Sequence, residues 1–116
     1  MSTYHGQCHC GRIAWEVDGD IPRVVECNCS LCRRRGHLMW FVARSDVRLL
    51  TPEADIATYT FGPATVRHQF CAHCGCGTFG AATDPAGVER LAINVRCLDG
   101  VDLDALEVAH YDGASV

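Results

Sequence analysis

Nine cysteines stand in a chain of 116 residues, and their spacing divides them. Cys8-His9-Cys10-Gly11 and Cys71-Ala72-His73-Cys74-Gly75 each hold two cysteines within one tight turn, followed by glycine. Cys27-Asn28-Cys29-Ser30-Leu31-Cys32 offers three cysteines within six residues. Cys76 and Cys97 remain outside these groups. Two close cysteines can wrap one side of a zinc ion, and a following glycine lets backbone amides turn toward the sulfurs. Two such half-sites make one closed four-cysteine site, so Cys8, Cys10, Cys71 and Cys74 are expected to hold a structural zinc. Closing a loop of roughly 60 residues in this way restricts the unfolded chain strongly. A zinc held by three protein ligands keeps one position open, which is the arrangement of catalytic zinc. Cys27, Cys29 and Cys32 are therefore the expected functional site, unless Cys76, Cys97 or a histidine closes it.

Disulfides are the competing use of so many cysteines, and they need an oxidising compartment. An odd number leaves one over. The first ten residues show no basic start followed by an apolar stretch, and no run approaches the length of a membrane span. The expectation is a reduced, zinc-binding chain in the cytoplasm, with no membrane partner. All ten basic residues are arginine, and the formal net charge is −4. Occupied thiolate sites bring that to about −7, a poor match for nucleic acid.

The elements that must position these cysteines are mostly strands. Ile13, Trp15 and Val17 alternate, Leu38 to Val42 is a continuous apolar run, and Ile56 to Phe61 is rich in β-formers. Val66, His68 and Phe70 alternate; Thr78 to Ala82, Leu91 to Val95 and Glu107 to Tyr111 complete the series. Pro- and Gly-containing turns separate them. Helical expectations are short: Ser30 to Arg35 and Asp102 to Leu106. This pattern predicts a mainly β sandwich or rolled sheet, with residues 1–116 as a single zinc-binding domain. Trp15, Trp40 and Phe41 are expected in its core, with a pocket wall as the alternative for Trp40 or Phe41.

Gly6-x-Cys8-His9-Cys10-Gly11, Cys27-x-Cys29-x2-Cys32-Arg33 and Phe70-Cys71-x2-Cys74-Gly75 resemble the motifs of the glutathione-dependent formaldehyde-activating enzymes, a family that includes the centromere protein V-like proteins. Asn94 to Asp99 is similar to a segment of some members. The resemblance implies a β-tent fold of short antiparallel strands with at most short helices. It implies the same structural and catalytic zinc sets, hence two zinc ions per chain. The implied activity is that of a carbon–sulfur lyase joining a small-molecule thiol, glutathione, to an aldehyde, formaldehyde, as S-hydroxymethylglutathione. Such chemistry suits an open thiolate site, because the thiolate is the nucleophile. Arg33, Arg34 and Arg35 follow the three-cysteine group and are candidates for holding glutathione's carboxylates.

Two alternatives carry different expectations. A non-enzymatic zinc module for protein contact would close the fourth position with a protein ligand. A methionine sulfoxide reductase-like enzyme would use Cys97 as nucleophile, but it would leave the three-cysteine group without a role. A zinc nucleobase deaminase is excluded, because no His-x-Glu or Cys-x-Glu is present and Phe70 precedes Cys71. The oligomeric state has no signature in the sequence.

Overall fold

The computed structural model describes residues 2–115. Ten strands follow in chain order: β1 (Thr3–Gln7), β2 (Ala14–Asp18), β3 (Val24–Cys27), β4 (Met39–Ala43), β5 (Val47–Leu49), β6 (Ile56–Tyr59), β7 (Arg67–Cys71), β8 (Gly77–Thr83), β9 (Glu89–Asn94) and β10 (Val108–Tyr111). One short helix, α1 (Cys32–Arg35), lies between β3 and β4. The expected helix at 102–106 is a 3-10 turn, Leu103–Ala105, opened by the Asp102 side chain accepting from the Asp104 amide.

Strands β1, β2 and β5 form a three-stranded sheet. The other seven form a second sheet in the order β10-β3-β4-β9-β8-β7-β6. Ile13, Trp15 and Val17 are fully buried, as their alternation predicted. They join Trp40 and Val42 of β4, Phe79 and Ala81 of β8, and Leu91 and Ile93 of β9 in one apolar core. Trp15 meets Phe79 edge to face, with ring centroids 5.3 Å apart. Truncating a buried aromatic of this kind costs about 3–5 kcal/mol.

Three expectations need correction. The run from Leu38 to Val42 is not buried throughout: Phe41 is 55% exposed. Period-two geometry turns Trp40 and Val42 inward and leaves Met39 and Phe41 on the opposite face of the large sheet. Second, the strand of Ile13, Trp15 and Val17 is not the first of the series: the polar segment Thr3–Gln7 pairs with it as β1, so Cys8-x-Cys10 lies between two strands. Third, the pairing is not wholly antiparallel. β10 lies parallel to β3, with Tyr111 opposite Cys27, and this pairing brings the end of the chain to the three-cysteine group.

Candidate metal centres and the cavity between them

A turn and a strand end deliver the cysteines in pairs. Cys8 and Cys10 lie in the β1–β2 turn, and Cys71 ends β7. The four sulfurs of Cys8, Cys10, Cys71 and Cys74 lie within 4.8 Å of one another. Cys10 Sγ is 3.7 Å from Cys8 Sγ and 3.6 Å from Cys71 Sγ. Sulfurs placed tetrahedrally at about 2.3 Å from a zinc ion stand about 3.8 Å apart, so the spacing fits an ion between them. Backbone amides point at the sulfurs as thiolates require: Ile13 N–H donates to Cys8 Sγ at 3.3 Å, and those of His73 and Cys74 donate to Cys71 Sγ at 3.3 and 3.4 Å. Gly11 and Gly75 take positive φ, 83° and 80°, a conformation that glycine adopts freely. Cys8 and Cys71 are buried.

The second group has the same chemistry with one thiol fewer. Cys27 ends β3, Cys29 follows in the turn and Cys32 begins α1. Their three sulfurs also lie within 4.8 Å of one another. The amide of Cys29 donates to Cys27 Sγ and that of Cys32 to Cys29 Sγ, both at 3.4 Å. Among the described residues, no further His, Cys, Asp or Glu joins this group of three.

Crowded thiols share protons unevenly. Burial acts to raise the Cys29 thiol, but the Cys32 amide and the neighbouring thiols outweigh it and bring it below the ordinary value. Cys32 is pushed up to about 12, first by burial and then by the thiol and charge of Cys29 and the charge of Cys27. In the four-cysteine group, burial opposes the ionisation of Cys74, yet the amides of Cys76 and Cys10 and the adjacent thiols lower it to about 6. A divalent cation removes this mutual repulsion and deprotonates its thiol ligands outright. Both groups therefore have the donor set, spacing and amide support for a metal ion.

Two concave regions flank the three-cysteine group. One is an apolar cavity of about 420 Å³ on the outer face of the large sheet; Cys27 and Cys32 form one end, with Val25, Leu31, Met39 and Phe41 among its walls. His37, His68 and Arg35 also reach it. Burial first, and then the charges of Arg35, His68 and Arg96, lower His37 to about 4. His68 is also lowered, by burial and by Arg35. Both imidazoles are thus neutral at pH 7. The other region is a groove of about 410 Å³ lined by Asn28, Cys29, Ser30, Arg33, Arg34 and Gly113. The three candidate arginines are therefore divided between the two regions. Arg33 and Arg34 are exposed at the groove, whereas Arg35 is half-buried at the cavity, where the charges of Cys32 and Cys76 act on it.

Gly113 has no counterpart in the sequence expectations. A Cβ added there would lie 2.5 Å from Cys27 Sγ and 3.2 Å from Cys29 Cβ, so the chain end packs directly on the cysteine group. Asn28 clamps that end: its amide donates to Asp112 at 3.0 Å, and its carbonyl oxygen accepts from the Ala114 amide at 3.0 Å. Cys76 and Cys97 stand apart from both groups, with sulfurs 3.7 Å apart. Burial and the neighbouring Cys76 push the Cys97 thiol up to about 12, which makes it a poor nucleophile at neutral pH.

These features define a mainly β protein with two cysteine clusters able to hold metal ions, one of them open to two clefts. The model of the glutathione-dependent formaldehyde-activating enzymes matches residues 3–110, and the chain belongs to that family. A crystal structure of a Rhodobacter sphaeroides protein, a Northeast Structural Genomics target, is similar with a TM-score of 0.77 and 31% identity. The match covers 90% of this chain and 99% of that one. No helix among the described residues is long and apolar enough to cross a membrane.

Proposed function

We propose that this chain is a zinc-dependent carbon–sulfur lyase-type enzyme that adds a thiol, glutathione, to formaldehyde or a related aldehyde. One observation carries the reading: a three-thiol group with no fourth protein donor among the described residues opens on an arginine-lined groove and on an apolar cavity. In this reading residues 1–116 act as one domain in the cytoplasm, with zinc at both cysteine groups. A zinc ion at the open group would supply Lewis acidity toward a thiol or carbonyl oxygen.

The chain supplies the rest. Arg33 and Arg34 attract glutathione's carboxylates into the groove, and Asn28 and Ser30 offer polar contacts along it. The apolar walls of the cavity lower the polarity around the carbonyl. Arg35 places positive charge at the cavity's cysteine end, where the carbonyl oxygen becomes negative as the carbon–sulfur bond forms. The thiol proton must reach that oxygen to complete the hydroxymethyl group. The neutral imidazoles of His37 and His68 are the cavity's bases suited to carry it.

The test is the rate at which protein accelerates exchange between glutathione, ¹³C-formaldehyde and their adduct, measured by NMR exchange spectroscopy. Wild type loaded with zinc is expected to accelerate it, and Cys29→Ser to lose at least tenfold of that acceleration. Equal rates with and without wild-type protein would sink the proposal.

A further inference from the structure

The cavity beside Cys27 and Cys32 is much larger than a one-carbon aldehyde requires. Its floor follows from the sheet register. His68 pairs with Gly80, Gly80 with Ala92, and Ala92 with Phe41, so one transverse row runs across β7, β8, β9 and β4. The two central positions carry a hydrogen and a methyl group, and the two outer ones carry rings. The row is therefore a trough, floored by Gly80 and Ala92 and walled by His68 and Phe41. Strands about 4.8 Å apart make such a trough roughly 14 Å across. Val25, Leu31, Met39 and Val66 continue the apolar lining.

Polarity decides what can occupy it. Glutathione carries two carboxylates and an ammonium, and burying these against apolar walls is unfavourable without matching partners. Arg35 is the one arginine at the cavity, whereas two arginines and several polar groups line the groove on the other side of the cysteines. The thiol substrate therefore fits the groove, and the cavity is left to the carbonyl partner. Formaldehyde would leave most of 420 Å³ to water, although a cavity of about 150 Å³ already holds benzene. Phe41 and Tyr111 line the same cavity while 55% and 52% exposed, and exposed rings at a cleft are characteristic of surface that a ligand covers.

We infer that the carbonyl substrate of this chain is an aldehyde with an apolar tail of roughly six to eight carbons. The inference rests on the thiol-addition reading for its chemistry, but the tail site stands on the cavity alone. Carbon–sulfur bond formation is unchanged by the tail: the thiol sulfur bonds the carbonyl carbon, and the thiol proton ends on the carbonyl oxygen. No oxidant or reductant is needed.

The experiment has two arms on the zinc-loaded protein. Linear primary alcohols from propanol to octanol, unreactive stand-ins for the aldehydes, are titrated calorimetrically into wild type and Ala92→Leu. In wild type the Kd is expected to fall about fourfold per methylene up to the length of the trough. Ala92→Leu, which fills the floor without touching the core, should flatten the series. Gly80→Val is the second variant, because a Cβ there meets only Arg67 O and Val66 Cγ1, at 3.7 Å. The kinetic arm compares glutathione addition to hexanal and to formaldehyde. The ratio of their kcat/KM should fall at least tenfold in Ala92→Leu. A flat alcohol series in wild type, or equal slopes in wild type and both variants, overturns the inference. A sloped alcohol series with no thiol addition to either aldehyde would instead uphold the apolar site and remove the proposed reaction.

Discussion

Gly113→Ala is the smallest change that should disturb the three-cysteine group without touching a cysteine. The added methyl carbon would sit 2.5 Å from Cys27 Sγ, about 1 Å inside ordinary van der Waals contact. Either the sulfur moves or the chain end lifts. Lifting it gives up the two Asn28 contacts to Asp112 and Ala114, each 3.0 Å long, at about 0.5–1.5 kcal/mol apiece. Overpacking left in place costs about 1–3 kcal/mol. The two routes are comparable, so the sulfur carries a substantial part of the strain. Zinc affinity at this group should fall by about fivefold to 150-fold, while the four-cysteine group keeps its ion. Competition with a chromophoric chelator, resolved into a tight and a labile zinc, measures both. In an Asn28→Ala background the chain end is released, and the Gly113→Ala penalty should shrink. A Gly113→Ala protein whose labile zinc binds within twofold of wild type would refute the close approach of the chain end to Cys27.

Two further outcomes follow from the same geometry. Cys71→Ser should fail to fold or accumulate, because a structural zinc supplies about 10 kcal/mol or more and a domain's whole stability is about 5–15 kcal/mol; soluble expression and thermal melting check it, and a stable folded variant would overturn the structural assignment of Cys8, Cys10, Cys71 and Cys74. His37 is lowered from 6.5 to about 4, so the unfolded chain binds more protons between those values; stability should be full above pH 6.5 and fall as pH drops toward 4, and denaturant titrations across that range should show a shallower slope for His37→Gln than for wild type.

The two cysteine clusters were legible in the sequence because each half-site is local. Cys71-x2-Cys74-Gly75 needs only a turn, and turn geometry is written in a few residues. Cys27, Cys29 and Cys32 lie on one strand end and one short helix, so their convergence needed no long-range information. What closes around them was not legible. Gly113 reaches Cys27 only because β10 pairs parallel with β3, a contact between residues more than 80 positions apart. Arg33, Arg34 and Arg35 read as one basic run, yet a helix turns about 100° per residue and sends Arg35 to the cavity while Arg33 and Arg34 stay at the groove. Phe41 was expected in the core because apolar residues occupy both faces of its strand; the second face is a cavity wall, and hydrophobicity alone does not distinguish the two. Strands β1, β3 and β5 were missed because they are short or polar and are held by their neighbours rather than by their own pattern.

The central claim is that the group of Cys27, Cys29 and Cys32 receives an exogenous thiol while the other group holds the fold. Calorimetric titration of glutathione into zinc-loaded wild type and zinc-loaded Cys29→Ser tests both halves together. The account predicts one equivalent bound by wild type, none by Cys29→Ser, and a folded Cys29→Ser protein that retains its four-cysteine zinc. Equal binding by the two proteins, or no binding by wild type with both zinc ions in place, would contradict it.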